Sequence, residues 1–278
     1  MNTSIHGLIF DIDGCLARGR QAIPGAPETV RELKQRGLRL AFLTNDNQRT
    51  TEEWVQRLDA MGIAAEPDEI LTSAVIAAEF VRERYPDRRI LPIGGAGLFA
   101  ALQERDVGLV ERPEEAEVVV MGRDPGFDQE TLNLACQAIW RGAAFIATNM
   151  DRRVPVAGGF KPASGPMVQA VAWATNVEPV VMGKPSRWAG EMAMKILGIE
   201  SAHGAVAGDQ LDQDIGMGKV AGLHTILVLT GSTRREDVER LPKEDQPDVI
   251  LPDVTHIPGW LDSYDVKPFD RLRTPRET

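Results

Sequence analysis

Strand, helix, strand, helix: this order repeats along the chain, and it constrains the fold more than any single motif. Strand–helix–strand units of this length imply a parallel sheet with right-handed crossovers. Gly7-Leu-Ile-Phe-Asp11 is a first buried strand. Pro24 and Gly25 then open a helix that turns Val30 and Leu33 inward, and Gly37 ends it. Leu38-Arg-Leu-Ala-Phe-Leu43 is a second strand, stopping at Thr44-Asn45. Thr50 and Glu53 have capping-box spacing for a helix whose apolar face is Trp54, Leu58 and Met61, closed by Gly62.

The middle of the chain continues in this style. Strands are predicted at 89–93, 117–121 and 144–147, and helices at 74–84, 97–104 and 128–141. Pro179-Val-Val-Met-Gly-Lys184 reads as a strand running into a lysine. Ser186 is placed to cap a helix with Trp188, Met192 and Ile196 on one face and Gly198 at its end. Ala205-Val-Ala-Gly-Asp209 and Thr225-Ile-Leu-Val-Leu229 are further strands, and Thr233 and Glu236 repeat the capping-box spacing. The charged, proline-containing tail from about Ser263 is expected to fray.

Length and composition narrow the class. The 278 residues allow two modest domains or one large one, and 43% hydrophobic content indicates a packed globular protein. No apolar stretch approaches the ~18 residues of a membrane span. Met1 to His6 is polar and lacks the features of a signal peptide, so a cytoplasmic location is expected. Cys15 and Cys136 are far apart and form no CxxC, which argues against zinc and against a disulfide framework. The net charge of −10 argues against nucleic-acid binding but not against a phosphate substrate, because local charge and a metal matter more at a site.

The chemistry sits at strand ends. Side chains two apart along a strand point the same way, so Asp11 and Asp13 are expected side by side at the end of the first strand. Crowded carboxylates repel, and either a hard divalent cation or a proton kept on one of them compensates. Three other predicted strands end in capable residues: Thr44-Asn45, Lys184, and Asp209 with Asp214 five residues on. Each alone fits a cap or a turn. Together they converge where open parallel sheets bind ligands, beyond the carboxyl ends of the strands.

These stretches resemble the four motifs of the haloacid dehalogenase (HAD) superfamily phosphatases. Asp11-Ile-Asp-Gly14 resembles the first, Leu43-Thr-Asn45 the second, Gly183-Lys-Pro-Ser186 the third and Gly208-Asp-Gln-Leu-Asp-Gln-Asp214 the fourth. Ile23-Pro-Gly-Ala26, Phe145-Ile-Ala-Thr-Asn149 and Leu227-Val-Leu-Thr-Gly231 are similar to stretches of its NagD-like and p-nitrophenylphosphatase-like branch (subclass IIA). The likeness covers roughly residues 5–260. Asp46, Gln213 and Cys15 depart from the usual residues, and Asp46 adds negative charge near the phosphate pocket.

The resemblance implies an α/β fold: a Rossmann-like, doubly wound parallel sheet core with a large inserted α/β cap domain. The core is expected at 1–74 and 179–265, the cap at 75–178 and a charged tail at 266–278. The implied activity is Mg²⁺-dependent hydrolysis of a small phosphorylated metabolite through an aspartyl-phosphate. Sugar phosphates, glycerol phosphate and nucleotides are all candidate substrates, with p-nitrophenyl phosphate as an artificial one. Asp11 is the implied nucleophile and Asp13 the acid and base. Asp11, the Asp13 carbonyl and Asp209 are the implied Mg²⁺ ligands, with Asp214 anchoring them from outside. Lys184 and Thr44, with backbone amides near Asn45 and Asp46, are the implied phosphate-binding groups. In the cap, the loop 148–153 with Asp151, Arg152 and Arg153, and the glycine-rich stretch 157–165, are candidates for touching the leaving group. Neither nucleic acid nor membrane is an expected partner; a homodimer is an assembly the family can form.

Other chemistries remain open on the same residues. A phosphomutase or phosphotransferase shares the first step, a regulatory phospho-acceptor module shares the acids, and a dehalogenase shares Asp11. Gly95-Ala-Gly97-Leu-Phe-Ala100 matches the dinucleotide-binding GxGxxA, but it lies mid-chain and reads more simply as a tight strand-to-helix turn.

Overall fold

The structure is a computed structural model, and it describes residues 4–156 and 158–263. The expected tail at 266–278 lies outside the described residues, as does Ala157 of the glycine-rich stretch. Chain contacts divide it into two compact units. The first takes in the chain up to Leu43, then Val55–Ile70, then Gly190 onward; the second is Thr44–Trp54 with Leu71–Ala189.

The first unit is built on a sheet whose strands lie in the order Val249–Leu251, His224–Val228, Gly204–Gly208, Gly7–Asp11, Arg39–Thr44, Ile70–Thr72. The pairings from Val249–Leu251 across to Arg39–Thr44 are all parallel. Gly7–Asp11 is buried along its whole length, which is why Leu8, Ile9 and Phe10 form an unbroken apolar run. After Gly7–Asp11 the chain enters Arg39–Thr44 on one side, then returns much later to Gly204–Gly208 on the other. The strand order therefore reverses between Gly7–Asp11 and Gly204–Gly208. Such a switch point leaves a crevice at the carboxyl ends of the two strands.

Helix Ala26–Gln35 buries Ala26, Thr29, Val30 and Leu33, a stripe at helical spacing. Gly25 and Gly37 flank it at φ +81° each, a conformation that costs glycine little. Helix Thr51–Asp59 starts as predicted. The Thr50 Oγ1 accepts the Glu53 N–H at 3.3 Å, and the Glu53 carboxylate accepts the Thr50 N–H at 2.9 Å.

The second unit has its own parallel sheet, in the order Val180–Val181, Ala144–Ala147, Val118–Met121, Ile90–Ile93. Leu91, Ile93, Val119, Met121 and Phe145 pack with Ala135, Ile139, Val168 and Val171 from the helices Gln129–Trp140 and Ser164–Thr175. A short antiparallel hairpin, Arg153–Val156 with Gly159–Pro162, completes the unit.

Four local expectations need correction. The strand at 179–184 is only Val180–Val181. In the helix Arg187–Leu197 the buried residues include Ala189, Ala193, Met194 and Leu197, while Ile196 is 40% exposed and Trp188 and Met192 are half-buried. Small Ala and Gly positions define the close-packed face there, so the large side chains misled the periodicity. Ser186 does not cap that helix: its hydroxyl donates back to the Met182 carbonyl at 2.7 Å. The cap near 233 is displaced by one residue and is one-sided, with the Asp237 carboxylate accepting the Arg234 N–H at 3.0 Å ahead of helix Arg235–Glu239.

Candidate active site

Two clusters of polar groups gather the residues singled out by sequence, one in each unit. The first stands at the switch point of the first unit. Asp11 ends the central strand, Asp209 follows Gly204–Gly208, and Asp214 lies in the π-helical turn Leu211–Ile215. All three are buried, and a carboxylate oxygen of each lies within 4.8 Å of the others. Among the described residues this is the group of acids spaced to hold a metal ion. The parallel register, with Phe10 opposite Ala207, brings Asp11 beside an acid about two hundred residues away.

Glycine backbones wrap these carboxylates. A Cβ on Gly14 would fall 2.6 Å from the Asp209 Cγ, one on Gly231 would fall 1.9 Å from its Oδ2, and one on Gly208 would fall 2.2 Å from the Asp214 Cγ. No side chain fits at these places without moving an acid. Asp209 Oδ2 accepts the Ser232 N–H at 2.5 Å and the Ser232 hydroxyl at 2.8 Å. Asp214 Oδ2 accepts the Gln210 N–H at 3.0 Å, and the Thr230 hydroxyl donates to the Gly14 carbonyl at 2.6 Å. Like charges this close repel by roughly a few kcal/mol per pair at an effective dielectric of ~20. An all-oxygen, buried, acidic donor set of this kind fits a hard divalent cation.

Asp13 departs from the pairing expected of it. The strand ends at Asp11, and the chain turns at once: the Leu16 and Ala17 N–H groups both donate to the Ile12 carbonyl. Asp13 therefore sits on an exposed turn, its side chain 55% accessible, with the Arg57 guanidinium 3.6 Å away. Asp11 is crowded by acids, Asp13 is faced by a cation. The alternation rule does not reach Asp13 because the strand ends two residues before it.

The second cluster lies within the second unit. Asn45 Oδ1 accepts the Lys184 N–H at 2.9 Å, and Asn45 Nδ2 donates to the Lys184 carbonyl at 3.1 Å and to Asp151 Oδ1 at 3.2 Å. The Asn45 carbonyl accepts from the Ser73 hydroxyl at 2.8 Å and from Asn149 Nδ2 at 2.6 Å. Thr44 is buried, and its hydroxyl accepts the Asp46 N–H at 3.1 Å. The Asp46 carboxylate pairs with Arg49 and accepts the Gln48 N–H at 3.0 Å, so its added charge has a local counter-ion. Lys184 is buried, whereas Arg152 is exposed and Arg153 lies over the Phe160 ring at 4.1 Å.

The GxGxxA stretch is a packing device. A Cβ on Gly97 would fall 2.5 Å from the Arg49 carbonyl oxygen, and the Gly97 N–H donates to the Gln48 carbonyl at 3.1 Å. Protein backbone lies against the first turn of the helix Ala96–Gln103.

Comparison with known proteins gives these clusters a family. Residues 8–108 match the haloacid dehalogenase-like hydrolases, and residues 181–257 match a second family described as HAD-hydrolase-like. An acid sugar phosphatase of Staphylococcus saprophyticus is 35% identical over 233 residues, 84% of this chain and 89% of that protein. The chain belongs to the HAD superfamily. The 5'-nucleotidase YutF of Bacillus subtilis is likewise 35% identical, over 83% of this chain and 89% of that protein. Among solved structures, a p-nitrophenyl phosphatase from Archaeoglobus fulgidus superposes with TM-score 0.86 at 33% identity, covering 94% of this chain and 99% of that one. NagD from Escherichia coli K-12 superposes with TM-score 0.84 at 30% identity, covering 90% and 97%. The branch expected from the motifs is thus the one found, and the chain is an enzyme of the phosphatase class. Among the described residues no helix is long and apolar enough to cross a membrane.

Sequence reasoning missed several partners. Ser232 holds the first cluster, Arg57 faces Asp13 and Ser73 joins the second cluster, while Thr230 and Asn149 lie in stretches already singled out but given no such role there. Asn47 was missed as well. It is buried, and its amide donates to the Thr148 and Ser164 hydroxyls at 3.0 Å each, while its oxygen accepts the Arg123 N–H at 3.1 Å. The only local signal for any of them was the Thr-Gly after the strand at 225–229 and the Thr-Asn at 148–149.

Proposed function

We propose that this protein is a Mg²⁺-dependent phosphomonoester hydrolase that works through an aspartyl-phosphate on Asp11. Its substrate is a small phosphorylated metabolite, a sugar phosphate, glycerol phosphate or nucleotide, with p-nitrophenyl phosphate as an artificial substrate. The observation that carries this reading is the buried acid cluster at the sheet's switch point. The names of the relatives support the substrate range: an acid sugar phosphatase, a 5'-nucleotidase and p-nitrophenyl phosphatases.

Asp11, the Asp13 carbonyl and Asp209 would hold the cation, with Asp214 behind them. Bound there, it supplies positive charge against the phosphoryl oxygens and the acids. The Asp11 carboxylate attacks phosphorus as the bond to the leaving oxygen breaks, and Asp13 gives that oxygen a proton. Asp13 then takes a proton from water, whose oxygen displaces Asp11 and releases inorganic phosphate. The exposed turn suits this role, since it gives the Asp13 carboxyl access to solvent protons. By their motifs, Lys184 and Thr44 take up charge on the transferring group, with backbone amides near Asn45. Residues 75–178 are proposed as the inserted cap, with Asp151 and Arg152 on its substrate-facing loop. A cap of this kind excludes water from the reaction.

The test is phosphate release from a panel of phosphomonoesters with Mg²⁺, repeated with Asp11→Asn. Turnover by that variant at a substantial fraction of the parent rate sinks the proposal.

A further inference from the structure

The second cluster has a geometry that points past phosphate binding. Strand Val180–Val181 runs parallel beside Ala144–Ala147, and the backbone pairing continues beyond both: the Met182 N–H donates to the Ala147 carbonyl at 2.9 Å, and the Gly183 N–H to the Thr148 carbonyl at 2.7 Å. At Lys184 the ladder changes partner. The neighbouring chain gives way to the side chain of Asn45, which accepts the Lys184 N–H and donates to the Lys184 carbonyl. A primary amide has the same donor and acceptor as a peptide unit, so Asn45 replaces the next residue of the missing strand. Gly183 makes room for this: a Cβ there would fall 2.5 Å from Asn45 Oδ1 and 2.7 Å from the Thr148 carbonyl oxygen.

Asn45 is itself held. Asp151 Oδ1 accepts from its Nδ2 at 3.2 Å, which orients the amide with its oxygen toward the Lys184 N–H. Its own backbone carbonyl is gripped by Ser73 and Asn149. Asn149 also donates to Ser73 at 3.2 Å, so this support is a closed polar network. Networks with all members satisfied impose one geometry.

We propose that Asn45 and Asp151 are positioning residues, whose side chains fix the backbone of Lys184 and so aim its ammonium group. Asp151 acts on Lys184 through the Asn45 amide. This rests on the reading of Lys184 as a phosphoryl-binding cation. The bracket itself is a statement about backbone geometry and is measured separately.

Amide hydrogen exchange tests the bracket without activity. In Asn45→Ala the Lys184 N–H should exchange at least ~10-fold faster, with the amides of Val118–Met121 unchanged. Unchanged protection at Lys184 overturns the proposal. Kinetics with p-nitrophenyl phosphate and Mg²⁺ test the consequence. Asn45→Asp keeps the acceptor but loses the donor and sets a carboxylate against Asp151. It should lower kcat by ~10–100-fold with KM within ~3-fold, the scale of a misplaced catalytic group. The exchanged pair Asn45→Asp with Asp151→Asn re-forms the contact with reversed donors, and should recover at least ~3-fold of that loss. In a Lys184→Ala background, Asn45→Asp should cost less than ~3-fold more, because a residue acting through Lys184 has little left to act on. Full additivity of the two, or no recovery in the exchanged pair, overturns the positioning role. Loss of Lys184 protection in Asn45→Ala with kcat unchanged in Lys184→Ala keeps the bracket and removes the catalytic reading of Lys184.

Discussion

The two polar clusters solve opposite problems. In the first unit, three acids are crowded into one buried place, and glycine backbones pack closely against Asp209 and Asp214. In the second, amides and hydroxyls meet backbone groups, and one side chain supplies what a strand would have supplied. The first arrangement concentrates like charge, a setting that suits a hard cation. The second pairs donors with acceptors and is complete in itself. Hence the first should bind and react, and the second should hold shape.

The sharpest break of this comparison is Asp11→Asn. Activity should fall by roughly 10⁴-fold or more, the scale seen when a nucleophile is removed. The thermal midpoint of the variant should stay at or above that of the parent, since one charge leaves the crowd. A folded Asp11→Asn enzyme with near-parent kcat would move the chemistry elsewhere. Next, Gly231→Ala pushes a methyl group into Asp209 Oδ2. Mg²⁺ affinity, read from the metal dependence of the rate, should drop by ~10–100-fold, as for losses in the shell around a metal. Exchange protection at Lys184 should not change.

A smaller effect separates charge from shape directly. With chelator present, Asp214→Asn should be as stable as the parent or more stable by about 1 kcal/mol, because it relieves repulsion and keeps an acceptor for the Gln210 N–H. Saturating Mg²⁺ at ~100 Kd should stabilise the parent by about 2.7 kcal/mol and this variant by less. Denaturant melts with and without metal give both numbers. A variant destabilised in chelator would mean that Asp214 is a structural buried acid.

The smallest expected effect lies outside both clusters, in the second unit. Hydrogen bonding to Arg82, opposed by burial and aided by Arg105, holds the Glu79 carboxyl down to about 2 from an ordinary value of 4.5. A depressed carboxyl contributes stability that is full above its unfolded pKa and is lost as pH falls through the folded one. The loss should therefore run from about 4.5 down to about 2. Arg82 is half exposed, so solvent screening keeps the contribution near ~1 kcal/mol. The stability gap between the parent and Glu79→Gln should be largest near neutral pH and shrink between pH ~4.5 and ~2. A gap that widens on acidification reverses the assignment.

Much of this was written locally. Apolar runs between helix signals gave most strands of both sheets nearly in place, though not Ile70–Thr72 or Val249–Leu251, and the reciprocal Thr50–Glu53 cap formed as its spacing required. Asp11, Asp209, Asp214, Asn45 and Lys184 were each visible as polar residues at or after strand ends. The failures also share a cause. Asp13 was paired with Asp11 by a strand rule, but the strand ends at Asp11 and the chain turns from Ile12. The helix Arg187–Leu197 was oriented by Trp188, Met192 and Ile196, whereas its buried face is Ala189, Ala193, Met194 and Leu197.

The sequence by itself determined which chemical groups the chain could bring to strand ends, because apolar periodicity and turn residues act over a few positions. Only the tertiary structure decided which groups meet. Parallel pairing set Asp11 against Asp209, the end of the strand left Asp13 facing Arg57, and the fold brought the Asn45 side chain to a lysine's backbone. Those choices depend on register and on where a strand runs out, and neither is fixed by residues near in sequence.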